Sequence, residues 1–315
     1  MSKVRWSQTN NVAMARAVQE AAKSKFRGQK VLKSKVVSHY PDNVAREYTR
    51  VVNAYMAMFN KVLKEYMPVI RKAIDADRDD MRHDASPGVA AVIAFVINCI
   101  NADFEKRAAT FGLGRKLAKI AKLNRKLTIS EWKRVVHRTL GLSINEDYYL
   151  GEFYREMMKV WTQDNVDLIT SIPKNTLADM RTIVEEGYQS GKSNTVIGKE
   201  IQETYGTNRE HAQFIARDQT AKLNADMAKS QQQDAGVEEY VWSDSGDGRV
   251  RDCHSAFDGK RFKWSDPPMN WYNTKSRGRV YTECAHPGQA PACRCVALPV
   301  FNLPGLSLPW IKEAE

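Results

Sequence analysis

The sequence has no apolar run long enough to cross a lipid bilayer. Its most apolar stretch, VAAVIAFVINCI at residues 89–100, is well short of the roughly 20 residues that a transmembrane helix needs. This stretch therefore predicts a buried helix. The polar opening segment, MSKVRWSQTNN, does not resemble a signal peptide. We expect no membrane partner.

Cysteine is scarce, with five residues in a chain of 315. The odd number, together with no recognisable export signal, predicts a reducing compartment and free or metal-bound thiols. Cys99 stands alone, whereas the other four cysteines lie in the last quarter of the chain. Cys293 and Cys295 are separated by one residue, within the segment PGQAPACRCVALPVF.

Local signatures of catalysis are also lacking, and we assign no catalytic residue. No carboxylate pair has a defined spacing, and no serine or cysteine has a nucleophile motif around it.

Three apparent binding motifs do not fit their patterns. GYQSGKS at 187–193 has too few residues between its glycines for a phosphate-binding loop and follows a predicted helix. A calcium loop around SDSGDG would place Ser243 and His254 where Asp and Glu belong. The helix–turn–helix pattern at 177–206 favours packing over DNA reading, because its second helix has balanced charge.

Positive charge is in excess, with a net charge of +11 and a sequence pI near 9.3. Residues 1–35 carry nine Lys and Arg against one acid, and residues 106–138 carry eleven against one. A solvated surface usually mixes its signs, so these two segments favour phosphate contact, with plain solubility as the alternative. The candidate DNA-binding residues are Lys23, Lys25, Arg27, Lys30, Lys33, Arg115, Lys116, Lys119, Lys122, Arg125 and Lys126.

Periodicity predicts an α+β chain whose helices come first. Apolar residues at three-and-four spacing predict a long helix from Val44 to Ile74. A Thr-x-x-Glu capping box at Thr128 predicts a helix that starts there and ends at Gly141. Three shorter helices are predicted over 173–191, 193–206 and 208–236, and short strands over 237–242, 258–264 and 293–301.

The change of pattern near residue 236 predicts a domain boundary. We expect a basic helical domain over 1–160, a helical connector over 161–235, a small α/β domain over 236–302 and a tail over 303–315.

Four segments in order identify a family resemblance. They are IARDQTAKLNADM at 215–227, AGVEEYVW at 235–242, DGRVRDCHSAFDGKRF at 247–262 and PGQAPACRCVALPV at 287–300. Together they resemble the phage Mu F-like head morphogenesis family, the minor capsid proteins of tailed phages, over about residues 165–300. The matching positions are Arg217, Trp242, Asp247, Arg249, Arg251, His254, Asp258, Gly259, Pro287, Gly288, Cys293, Arg294 and Cys295.

The resemblance implies a structural role rather than an enzyme. It implies a minor head protein bound to the phage portal protein on the capsid interior, in the virion after assembly in the host cytoplasm. Major capsid or scaffolding protein are further expected partners. The charge distribution implies contact with genomic DNA. The alternatives are a metal-dependent or toxin-like C-terminal enzyme that uses His254 and Asp247, and a plain non-specific DNA-binding protein.

The Cys-x-Cys pair leaves two chemical interpretations. On a strand, residues i and i+2 share a face, so both thiols point the same way. They could complete a zinc site with His254, Cys284 or His286, although this spacing matches no standard zinc finger. Some relatives carry cysteine at the positions of Arg251 and His254, and an arginine cannot bind metal. We favour small buried cysteines in a tight core, and therefore no cofactor.

Overall fold

The computed structural model describes residues 12–80, 87–192, 194–276 and 278–310. Over these ranges the chain has the predicted α+β class, with mostly helical residues followed by short antiparallel strands. The helices are α1 (Val12–Phe26), α2 (Asp42–Asp80), α3 (Pro87–Phe111), α4 (Leu113–Leu140), α5 (Glu152–Gln189), α6 (Asn194–Asp234) and α7 (Asp252–Phe257). The strands are β1 (Val31–Lys33), β2 (Glu239–Ser243), β3 (Arg261–Lys263), β4 (Met269–Thr274), β5 (Gly278–Cys284) and β6 (Val296–Asn302). No helix within these ranges is both long and apolar enough to cross a membrane.

The apolar stripe that predicts a helix from Val44 is confirmed by α2. Its members Val44, Tyr48, Tyr55, Val62 and Ile70 are all buried. Helix α3 likewise confirms the predicted helix around residues 89–100, but only one face of it is buried. Ile93 and Val96 are buried there, whereas Val92 and Phe95 are exposed. Regular three-and-four spacing gives one continuous face that can be removed from water, which stabilises these helices more than intrinsic propensity does.

The helix start predicted at Thr128 is wrong. Helix α4 begins at Leu113 and continues through Thr128 to Leu140. The Thr128 hydroxyl donates a hydrogen bond of 2.8 Å to the carbonyl of Asn124, four residues earlier, and so does not cap a new helix. The predicted end is confirmed, because Gly141 follows the helix with a φ of +71°.

The three helices predicted between residues 173 and 236 are two longer ones. Pro173 lies inside α5, and Gly206 lies inside α6. Asn208, where the third of these helices was expected to begin, instead lies within α6 and donates a side-chain hydrogen bond of 2.8 Å to the hydroxyl of Thr176. A glycine inside a helix costs only about 1 kcal/mol relative to alanine, so packing along the rest of α6 outweighs it. Residue 193, where the second of these helices was expected to begin, lies outside the described residues.

The described residues form two compact units, and one comprises Arg46–Ile120 and Thr162–Arg217. Its core contains an aromatic cluster in which Tyr55 meets Phe104 and Phe111 edge-on, with ring centroids 5.3 and 5.4 Å apart. The buried Tyr48 hydroxyl donates to Asn165 at 2.6 Å.

The other unit comprises the chain up to Ala45, Ala121–Trp161 and the chain from Asp218 onward. It contains a four-stranded antiparallel sheet in the order β1-β6-β2-β3. Strands β2, β3 and β6 confirm the three that the sequence predicts. Strand β1, which pairs Leu32 with Phe301, has only three residues and no detectable alternation. The hairpin of β4 and β5 was also not predicted.

Residues 303–310, expected to be part of a tail, pack onto this unit. Leu306 and Leu308 are buried, and the Ser307 amide donates to the carbonyl of Ala235 at 3.1 Å. At Gly236, with a φ of +76°, an added Cβ would lie 1.9 Å from the carbonyl oxygen of Gly305. The close approach of these backbones therefore requires glycine at position 236.

Candidate functional site

Three of the predicted residues come together in one buried cluster. The Nδ1 atom of His254 lies 3.5 Å from the Sγ atom of Cys293 and 3.6 Å from that of Cys295. The exposed fractions of these three side chains are 2%, 3% and 6%. In the part of the chain that the structure describes, this is the one group of three or more His, Cys or acidic residues close enough to share a metal ion.

Aromatic residues hold the histidine side of the cluster in place. His254 lies on α7, and its ring packs against those of Trp242 and Phe257, with centroids 5.0 and 6.4 Å away. Trp242 is fully buried on β2, where it pairs with Ala297 of β6. Trp242, the last residue of a predicted strand, therefore pairs with β6, the strand that follows the two cysteines.

The loop that carries the cysteines is held by backbone hydrogen bonds. Ala292 has a φ of 53°, unusual for a residue with a side chain, and its amide donates to the Asp218 carboxylate at 2.8 Å. Gly288 has a φ of +83°, and its amide donates to the Cys293 sulfur at 3.4 Å. These contacts direct the segment before β6 toward His254.

A hydrogen bond between the two thiols shifts the pKa of each. The hydrogen bond from Cys295 lowers the pKa of the Cys293 thiol, opposed by burial and assisted by His254. The same hydrogen bond, together with burial, raises the pKa of Cys295. The same contact therefore shifts the pKa values of the two thiols in opposite directions.

The other two candidate metal ligands lie elsewhere. Cys284 is exposed at the end of β5, where it pairs with Met269. His286 is buried, and its Nδ1 atom lies 2.9 Å from the Tyr240 hydroxyl. Burial, followed by the positive charge of Lys229, lowers the pKa of His286 to about 4. The structure thus brings together three of the five predicted ligands.

Most arginines of the family motif bind to the loops around the cluster. Arg294 forms an ion pair with Asp247, whose carboxylate also accepts the Arg249 amide at 3.0 Å. That backbone hydrogen bond and Arg294 hold the pKa of Asp247 below its usual value. Arg251 donates to the carbonyl of Pro291 at 2.6 Å, next to the cysteine loop.

The remaining motif positions have structural placements. Asp258 accepts the Asp244 amide at 3.0 Å, and Gly259 follows with a φ of +72°. Pro287 is buried beside Gly288, whereas Arg217 is exposed on α6.

Asp218 is a contributor that the sequence pattern did not single out. It is 5% exposed on α6, forms an ion pair with Lys222 at 2.7 Å and accepts the Ala292 amide. The sequence does contain one signal for this role, because Asp218 lies on the otherwise apolar face of the helical segment IARDQTAKL. A carboxylate on a buried face requires a partner, which here is the Ala292 amide.

The candidate DNA-binding residues lie on α1, on β1, on the segment between them and on α4. The first five are all exposed: Lys23 and Lys25 on α1, Arg27 and Lys30 after it, and Lys33 on β1. Helix α4 carries the other six. They are exposed except for Arg125, which is half-buried. The start of the first basic segment, residues 1–11, lies outside the described residues.

The cluster lies in the part of the chain that matches a known protein family. Residues 178–298 match the family described as Phage Mu protein F like protein. An uncharacterized protein of Haemophilus influenzae is 33% identical over 147 residues, which are 47% of this chain and 30% of that protein. The chain thus spans less than a third of the length of that relative. No solved structure matches.

Proposed function

We propose that the chain is a minor head protein of a tailed phage, because residues 178–298 match the family described as Phage Mu protein F like protein. In this proposal it binds the portal protein on the capsid interior, contacts the packaged genome and assists head assembly or genome ejection. The family match is the observation that carries the proposal.

The surroundings of the cluster favour a structural role over an enzyme that uses His254 and Asp247. His254 is enclosed by the two thiols and by aromatic rings. Asp247 is occupied by Arg294 and by the backbone of its own loop. Both side chains therefore connect the elements of the small sheet, as expected for a scaffold.

Contact with DNA is supported by charge within the unit that contains the sheet. The side chain of Lys25 lies against Gly141 at the end of α4, and Ser34 bonds to Thr139 at 3.0 Å. These contacts place the basic segment after α1 beside the last part of α4. Phosphates attract basic surfaces without reading base sequence. Acids pair with three cations of this region, in the ion pairs Lys23–Glu20, Lys133–Glu146 and Arg134–Glu131.

Arg125 is the most unusual of these cations. Its Nη1 atom is buried without a hydrogen-bond partner among the described residues, and burial followed by Arg155 lowers its pKa. Two neighbouring guanidinium groups repel each other, and an anion between them would relieve the repulsion. A DNA phosphate would supply that anion.

Co-assembly tests the head protein proposal. The chain would be co-expressed with the portal and major capsid proteins of the same phage, and purified heads would be probed for it. We expect retention in heads that contain portal and loss from heads assembled without portal. Equal amounts in both would contradict portal binding, and absence from both would contradict the head assignment.

Salt-dependent binding tests the DNA contact. The double variant Lys122→Ala/Lys126→Ala should bind duplex DNA more weakly and with a shallower salt dependence, because about two fewer phosphates are neutralised. Lys159→Ala/Lys199→Ala is the matched control, since these lysines lie near Glu156 and Glu203 at 3.7 and 3.8 Å. Equal losses in both variants would show that only net charge matters.

A further inference from the structure

We propose that His254, Cys293 and Cys295 bind one zinc ion. A tetrahedral zinc with Zn–S of about 2.3 Å and Zn–N of about 2.0 Å separates its sulfur and nitrogen ligands by about 3.5 Å. The two measured separations from His254 Nδ1 to the sulfurs are 3.5 and 3.6 Å. Both nitrogen-to-sulfur separations therefore match those around a tetrahedral ion, and all three ligand atoms lie within 4.8 Å of one another.

The chemistry of the ligand set also suits zinc. Two thiolates would neutralise a divalent cation, so the buried site would carry no net charge, and a neutral imidazole completes the protein ligands. Iron–sulfur clusters use mostly thiolates, and magnesium and calcium prefer oxygen. A mixed sulfur and nitrogen set of three therefore selects zinc among the common divalent ions.

The backbone around Cys293 is arranged to support a thiolate. Its sulfur accepts the amide hydrogen of Gly288, as expected for an outer hydrogen bond to a metal-bound sulfur. Asp218 fixes the loop through the Ala292 amide, immediately before Cys293. Neither contact involves the ring of His254, so the sulfur positions are set independently of the histidine.

A water molecule is the fourth ligand in this proposal. A cavity of about 40 Å³ is lined by both cysteines, with Thr128 and Trp264 among its other walls. A cavity needs about 10–15 Å³ to hold one water molecule, so this cavity has room for the fourth ligand. The ion would join α7 to the segment that precedes β6 and so stabilise the small sheet.

Metal content and cobalt substitution test the site on the full chain without a histidine tag. Protein loaded with zinc and dialysed should retain about one ion per chain, because three buried protein ligands hold it. Cobalt in its place should show a thiolate-to-cobalt charge-transfer band and the visible bands of a tetrahedral ion. A folded wild-type chain that retains no zinc and shows no charge-transfer band would overturn the proposal.

Serine variants locate the ion. Cys293→Ser and Cys295→Ser should each reduce retained zinc to background, whereas Cys284→Ser, at an exposed thiol outside the cluster, should retain it. Loss in the Cys284→Ser protein, or full retention in both cluster variants, would refute these ligands. If the cluster variants do not fold, the wild-type cobalt spectrum still decides, because thiolate ligation is read without any substitution.

Discussion

Replacing Gly288 with alanine tests how the cysteine loop is positioned. Gly288 has a φ of +83°, and an added Cβ would lie 2.7 Å from the Cβ of Ala225 on α6. Two independent penalties therefore act at one site: an unfavourable backbone conformation and a steric overlap. Gly259 is the matched control, because its φ of +72° is similar but nothing lies within 4 Å of an added Cβ.

The expected magnitudes follow from these two penalties. The left-handed conformation costs a residue with a Cβ about 1–2 kcal/mol, so Gly259→Ala should lower the free energy of unfolding by about that amount. Overpacking adds about 1–3 kcal/mol, so Gly288→Ala should cost about 2–5 kcal/mol. The difference between the two variants measures the overlap with Ala225.

Chemical denaturation followed by tryptophan fluorescence gives both values, and a double-mutant cycle with Ala225→Gly isolates the contact. In the Gly288→Ala background, removing the Ala225 methyl group should restore most of the free energy that the steric overlap costs. In the wild-type background, Ala225→Gly should instead cost about 1 kcal/mol, because glycine is unfavourable inside a helix. Equal destabilisation by Gly288→Ala and Gly259→Ala, together with zero coupling, would refute the close approach of the loop to α6.

The remaining predictions concern three buried side chains. Trp242→Ala should lower the free energy of unfolding, measured by denaturation, by about 3–5 kcal/mol. Trp271→Ala should cost far less, because Trp271 is only half-buried; equal costs would contradict the placement of Trp242. His286 has a folded pKa lowered from 6.5 to about 4, so the unfolded chain takes up the proton first. Stability should therefore fall by up to about 3 kcal/mol between pH 6.5 and 4, and His286→Gln should flatten that part of the pH profile. Asp218→Ala leaves the Ala292 amide without its acceptor and should cost about 1–3 kcal/mol; a variant as stable as wild type would show that the loop does not need this anchor.

Some elements could be predicted because their signal is local and repeated. The stripe on α2 extends over many turns, so the burial of Tyr48 or Val62 could be inferred without any tertiary information. The apolar run of β6 and the alternation of β2 were similarly clear. Thr128 misled because its capping motif is only four residues long, and a hydroxyl inside a helix can bond to the preceding turn instead.

Other elements carry no local signal. The three residues of β1 form a strand only because β6 offers an edge, and β6 lies some 270 residues further along the chain. Likewise, Cys284 and His286 are as good metal ligands by residue type as Cys293. Only the distances show that His286 instead contacts Tyr240 and that Cys284 is exposed.

The sequence by itself determined the α+β class, the long amphipathic helix α2, the two basic segments and the similarity of residues 178–298 to the Phage Mu protein F like family. These properties depend on composition, periodicity and residue order, which are read along the chain. Only the tertiary structure decided that His254 meets both cysteines and that Asp218 holds their loop. The physical reason is that such contacts join residues dozens of positions apart, and their distances depend on how helices and strands pack, which no local pattern specifies.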